Sequence, residues 1–188
     1  MKSIILALSI ALGFALQGCG TVVLSTVEAL NATSPLTADP AGFEVAVDMP
    51  EGGDIAPDGA TINLFMSHTV LGEDVNETYV LQRRQSADGR ILFRINPRDL
   101  DMVRAFQAKA RTWEANDPDA SSGGFGVSVV ACSVGDGPAD DATFSVSIRT
   151  QVDGGFMPLI RNARVMDAIE AVEDLDDDAQ NPPAARCD

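Results

Sequence analysis

The chain has 188 residues, 45% of them hydrophobic, enough for one ordinary domain with its own core. Lys and Arg number 13 against 28 Asp and Glu, a formal net charge of −15. That balance argues against nucleic acid and anionic lipid surfaces as partners, and it fits a solvated acidic surface or a cationic partner.

Met1-Lys2-Ser3 gives a short positive start, and Ile4 to Leu16 is apolar except for Ser9 and Gly13. This is the order of a secretory signal. The run is shorter than the roughly 20 apolar residues a spanning helix needs. It closes on Leu16-Gln17-Gly18-Cys19, which resembles the lipobox of bacterial lipoprotein precursors. The resemblance covers residues 1–19 only. It implies that the Cys19 sulfur takes a diacylglyceryl group, that a peptidase cuts between Gly18 and Cys19, and that the new amino terminus is acylated. Such chemistry needs a nucleophilic thiol and a small residue beside the scissile bond. Three acyl chains, at about 0.8 kcal/mol per buried CH₂, anchor where one would be marginal. By the sorting tendency of that family, the resemblance with Gly20 after the cysteine implies the outer membrane, facing the periplasm. The alternatives are an ordinary secretory signal with an incidental cysteine, and an uncleaved anchor continued by Val22, Val23, Leu24, Val27 and Leu30.

The chain divides into a signal over 1–18, a tether over 19–39, a domain over 40–166 and an acidic tail over 167–188. Asn31 to Pro35 gives the tether loop character. Phe43, Val45, Val47 and Met49 alternate with polar or small residues as a half-buried strand does. Pro50 to Gly59 reads as a loop, Ile62 to Ser67 as a second strand, and the neighbourhood of Tyr79 and Leu81 as a third. Asp88-Gly89 before Ile91, Phe93 and Ile95 reads as a tight hairpin with both turn residues at positive φ. Asn96 can cap a helix that Pro97 and Asp99 favour at its start. Leu100, Val103, Phe106, Ala110 and Trp113 share one face of it. Asp119 to Gly124 reads as a loop, and strands follow at Phe125–Ala131, Phe144–Ile148 and Met157–Val165. Asp167 to Leu175 reads as a short acidic helix. About seven strands separated by turns predict a mainly β fold, an antiparallel β-sandwich with one crossover helix. The alternative is an α+β domain with the helix packed on one antiparallel sheet.

With Cys19 assigned to the anchor, Cys132 and Cys187 remain as a pair in an oxidising space and are expected to form a disulfide. Alternation places Cys132 opposite the Phe125, Val127, Val129 and Ala131 set, where the tail could reach it.

The sequence offers no catalytic residues, no metal site and no cofactor site. His68 is the single histidine, and a strand-end histidine without an activated nucleophile nearby reads as structural. Asp174, Asp176 and Asp178 start a calcium-loop spacing but lack its Gly and distal Glu. Asp117, Asp119 and Ser121 fail in the same way. Gly123-Gly124-Phe125-Gly126 lacks the Lys of a phosphate cradle. Acids between Glu44 and Glu77 precede a basic run from Arg83 to Arg111, read as internal charge complementarity.

These features predict a non-enzymatic, lipid-anchored envelope module. It would bind the membrane through Cys19 and an envelope protein through its domain surface. The alternative is a carrier of a hydrophobic small molecule, marked by an interior pocket where the module would have a filled core.

Overall fold

The structure, a computed structural model, describes residues 38–165, 167 and 187. A 3₁₀ turn, Pro40–Gly42, leads into β1 (Glu44–Asp48), β2 (Gly53–His68), β3 (Glu73–Gln85) and β4 (Ile91–Ile95). A second 3₁₀ turn, Pro97–Asp99, runs into helix α1 (Leu100–Asn116), followed by β5 (Ser121–Ser133), β6 (Thr143–Arg149) and β7 (Met157–Arg164). The protein is mainly β. Its seven antiparallel strands form one curled half-barrel sheet in the order β5-β2-β3-β4-β1-β6-β7.

One hydrogen-bonded sheet replaces the two facing sheets expected of a sandwich. The reason lies in β3. Its first part, Glu73–Val80, pairs with β2, and Leu81–Gln85 pairs with β4. A single 13-residue strand thus joins both groups of strands, and the sheet curls instead of dividing. Glu73, Asp74, Asn76 and Glu77 disguise the first part as loop. In the sheet, Asn63 bonds Asn76, and its Nδ2 donates to Thr78 Oγ1 at 3.0 Å.

The register fixes which side chains point inward. Val45 lies opposite Phe93 and Ile148, Val47 opposite Ile91 and Val146, and Leu81 opposite Ile95. These residues, with Ile62, Leu64, Met66 and Tyr79, meet Val103, Phe106, Ala110 and Trp113 of α1 in one core. The helix therefore packs against the sheet along the expected stripe. Asn96 Oδ1 accepts from Arg98 N at 3.2 Å, and the chain ends the helix with Asp117 N donating to Trp113 O at 2.9 Å. Gln107 is buried as well, its Nε2 donating to Ala38 O at 2.9 Å.

Three local expectations are corrected. In the β3–β4 hairpin only Gly89 is left-handed, at φ 88°, and Asp88 is not. Gly89 N donates to Ser86 O at 3.1 Å and Ser86 N to Arg90 O at 3.0 Å, a three-residue loop closed by a glycine bulge in place of a two-residue turn. Residues 53–59, read as loop, belong to β2, which tolerates Pro57 and a left-handed Asp58 by bulging between Ile55 and Ala60. The glycines of 123–126 are strand, because β5 begins at Ser121. Gly124 is needed there: a Cβ would stand 2.8 Å from Cζ of Phe65, whose ring lies across it. Pro158 is accommodated in β7, an edge strand with an irregular register against β6. The acidic helix expected beyond Asp167, over residues 168–175, lies outside the described residues.

Tyr79 supplies a test of the core. It is buried, and its hydroxyl donates to Glu77. Burial, then the hydrogen bond to Glu77, raises its pKa well above the ordinary tyrosine value. An unfolded chain loses this proton near pH 10 while the folded protein keeps it. The associated stability is complete below about pH 10 and is lost as pH rises above it. Tyr79 is the single tyrosine, so an absorbance titration reads it alone. Phenolate is expected to appear only as the protein unfolds, and Tyr79→Phe to flatten the alkaline loss of stability. Ionisation near pH 10 in a protein that remains folded would contradict this placement.

Candidate functional site

Where β3 changes partner, the sheet opens. After Val80, β3 follows β4, while Gly53–Ala60 of β2 follows β5. The gap is a cleft of about 490 Å³ lined by Asp54, Asp58, Val80, Arg83, Phe93, Asn96, Arg98 and others. Arg83 spans it: Nη2 meets Asp54 Oδ1 at 2.8 Å and Nη1 donates to Ile55 O at 3.3 Å. Arg98 lies at the rim, largely exposed, with Nε 3.5 Å from Asp99 Oδ1. This lining can bind a charged or hydrogen-bonding group. Its sulfur is that of Cys187, held in a disulfide.

That disulfide is the expected one. Cys132 and Cys187 are joined, with Cα atoms 5.4 Å apart and a sequence separation of 55. Cys132 pairs with Asp54 and is buried, and Cys187 N donates to Ser133 O at 3.1 Å. The bond thus brings Cys187 to one wall of the cleft.

Between helix and sheet, the space beside Met66, Ala110, Trp113 and Ser121 is about 250 Å³. The space bounded by Phe43, Ile62, Leu64, Ile95, Val103 and Phe125 is about 20 Å³, roughly one water. Phe43 and Phe125 meet edge to face at 5.9 Å across it. No family model, curated protein or solved structure matches this chain.

Its functional reading therefore stands on these residues. Cys19 lies outside the described residues, as do Asp174, Asp176 and Asp178. His68 is buried, its ring edge to face with Trp113 at 5.3 Å, and its Nδ1 accepts from Leu71 N at 3.3 Å. Asp117 and Ser121 make local contacts: the Ser121 hydroxyl donates to Asp117 O at 2.8 Å. Charge complementarity takes the form of pairs across the fold. Besides Arg83 with Asp54, Arg84 lies 3.6 Å from Glu44 and Lys109 lies 2.8 Å from Glu73.

Glu44 is a residue that sequence reading missed. Alternation makes it an outward position, yet it is only 3% exposed. Arg149 Nη2 holds its other oxygen at 2.6 Å, and Arg149 and Arg90 each lie over the ring of Phe156 at 5.1 and 5.2 Å. The only signal was Glu44 facing arginines on strands more than 40 residues away in sequence, and pairing of that range is not written in any local pattern.

Proposed function

We propose that this protein is a lipid-anchored envelope protein, held at the outer membrane through acyl chains on Cys19 and facing the periplasm. Its half-barrel acts as a binding or structural module for another envelope protein. The lipobox-like Leu16-Gln17-Gly18-Cys19 supports the anchor. The observation that carries the choice of module over hydrophobic carrier is the size of the spaces between helix and sheet. A small-molecule site takes about 300–1,000 Å³, against about 20 Å³ beside Phe43 and Phe125 and about 250 Å³ beside Trp113 here. The cleft beside Arg83 and Asp54 has that volume, but Asp54, Asp58, Arg83 and Arg98 set charges among its apolar residues. The reading assigns no catalysis, and the engagement of His68 with Trp113 and Leu71 supports that.

A ligand test separates the two classes. The full chain, purified from its own membrane and delipidated, is mixed with a fluorescent fatty acid, and its extract is analysed by mass spectrometry. The module is expected to show no saturable one-to-one binding and no apolar molecule beyond its own acyl chains. A stoichiometric apolar ligand would replace it with the carrier.

A further inference from the structure

The two edges of the sheet differ in how they are guarded. At one edge, β7 carries Pro158, Arg161, Arg164, a left-handed Asn162 and register irregularities. These are devices that keep other strands away. At the other edge, the 13 residues of β5 contain no charge, no proline and no residue at positive φ.

The direction of the β5 backbone is fixed at both ends. Thr69 N donates to Ala120 O, and Val134 N donates to Gly52 O. In an antiparallel pair, hydrogen-bonded residues alternate with residues that face away. The even residues of β5 therefore bond β2. Ser121 N donates to Pro118 O at 3.4 Å, while Gly123, Phe125, Val127, Val129 and Ala131 turn their N–H and C=O groups outward with no partner among the described residues. At Ser133 the outward carbonyl is taken by Cys187 N. The same residues send side chains to the core face, where Phe125, Val127 and Val129 are only partly buried.

Charge selects the occupant. From Thr112 to Ile148 the chain has Glu114, Asp117, Asp119, Asp136, Asp140 and Asp141 and no Lys or Arg. Among the described residues none of these acids forms an ion pair, and all but Asp117 are exposed. They lie before and after β5, so the open edge is a neutral strand between two acidic ends. A second copy pairing antiparallel would set Asp117 and Asp119 against the partner's acidic turn, an unfavourable like-charge arrangement.

We propose that the free edge of β5, from Gly123 to Ala131, is a docking strand for an extended cationic segment of another protein. That segment adds to the sheet by backbone hydrogen bonds. Its alternate apolar side chains cover Phe125, Val127 and Val129, and its flanking Lys or Arg residues meet the acids at the two ends. This rests on the reading of the protein as a binding module and names the surface and the chemistry of the partner.

The test uses the full chain and a capped peptide of alternating Val and Thr between two Lys pairs. Amide hydrogen exchange is followed by NMR. The peptide is expected to slow exchange at Gly123, Phe125, Val127, Val129 and Ala131 at least tenfold, and to do so less as salt is raised. A Glu-flanked peptide is expected to have no effect. Val127→Pro removes an outward N–H without touching the β2 ladder, so it should abolish the protection while the even amides stay protected. Should that variant not fold, Asp119→Lys with Asp136→Lys is expected to weaken the Lys peptide and admit the Glu peptide. Equal binding of both peptides, or binding that leaves the odd amides exchanging freely, overturns the edge assignment while leaving a module that binds elsewhere. Odd amides already protected without peptide overturn it too, and sedimentation then shows whether a second copy or the chain's own residues hold the edge.

Discussion

Trp113→Ala is expected to lower the free energy of unfolding by about 3–5 kcal/mol, the range for truncating a large aromatic in a core. Typical domains have about 5–15 kcal/mol in total, so the loss is a large part of the margin. Trp113 closes the last turns of α1 onto the sheet. Its ring meets that of His68, and Lys109 Nζ stands 4.6 Å from its centroid. Alanine would leave the buried His68 facing a void and remove the ring beneath Lys109. Met102 is the matched control, on the same helix but 51% exposed. Its change to alanine should stay within about 0.5 kcal/mol. Trp113 is the single tryptophan, so circular dichroism in urea must replace fluorescence as the probe. Equal effects of the two substitutions would mean that α1 does not pack on the sheet by this face.

The second large effect belongs to the disulfide. Cys132 and Cys187 are 55 residues apart, and closing a loop of that length restrains the unfolded chain by about 4 kcal/mol in the chain-entropy model. Realised values are often smaller, so about 2–4 kcal/mol is expected for Cys132→Ala combined with Cys187→Ala. Loss of the bond also releases Cys187 N from Ser133 O at the end of β5. The urea midpoint of the native protein should fall on adding reductant, and that of the double variant should start low and ignore reductant. Identical midpoints for the oxidised protein and the double variant would show that the bond does not stabilise the fold.

Much of the domain was legible because it follows from local chemistry. The Asn96-Pro97 start and the Val103, Phe106, Ala110, Trp113 stripe announce α1, and strict alternation announces β1, β4 and β6. The disulfide followed from the count of the cysteines and the compartment expected for them, and the placement of Cys132 opposite the Phe125 to Ala131 set was visible in the strand. What stayed hidden depends on partners far away in sequence. The polar first part of β3 looks like loop until Asn63 on β2 bonds Asn76 and Thr78. Gly124 looks like a loop glycine until the Phe65 ring crosses it. The turn at Asp88-Gly89 was placed correctly, but its type depends on Ser86 and Arg90 closing around it. Glu44 becomes buried only because β4 and β6 bring their side chains to either side of β1. The cleft exists only because β3 leaves β2 for β4, a choice of pairing that no single segment encodes.

We propose that a lipid on Cys19 holds this half-barrel to a membrane. Metabolic labelling with palmitate, followed by fractionation of the same cells, tests it in one measurement on the native chain and on Cys19→Ala. A labelled, membrane-bound native protein and an unlabelled variant that is lost from the membrane fraction are expected. A Cys19→Ala protein that fractionates with membranes as the native one does, or a native protein that takes up no label, would contradict it.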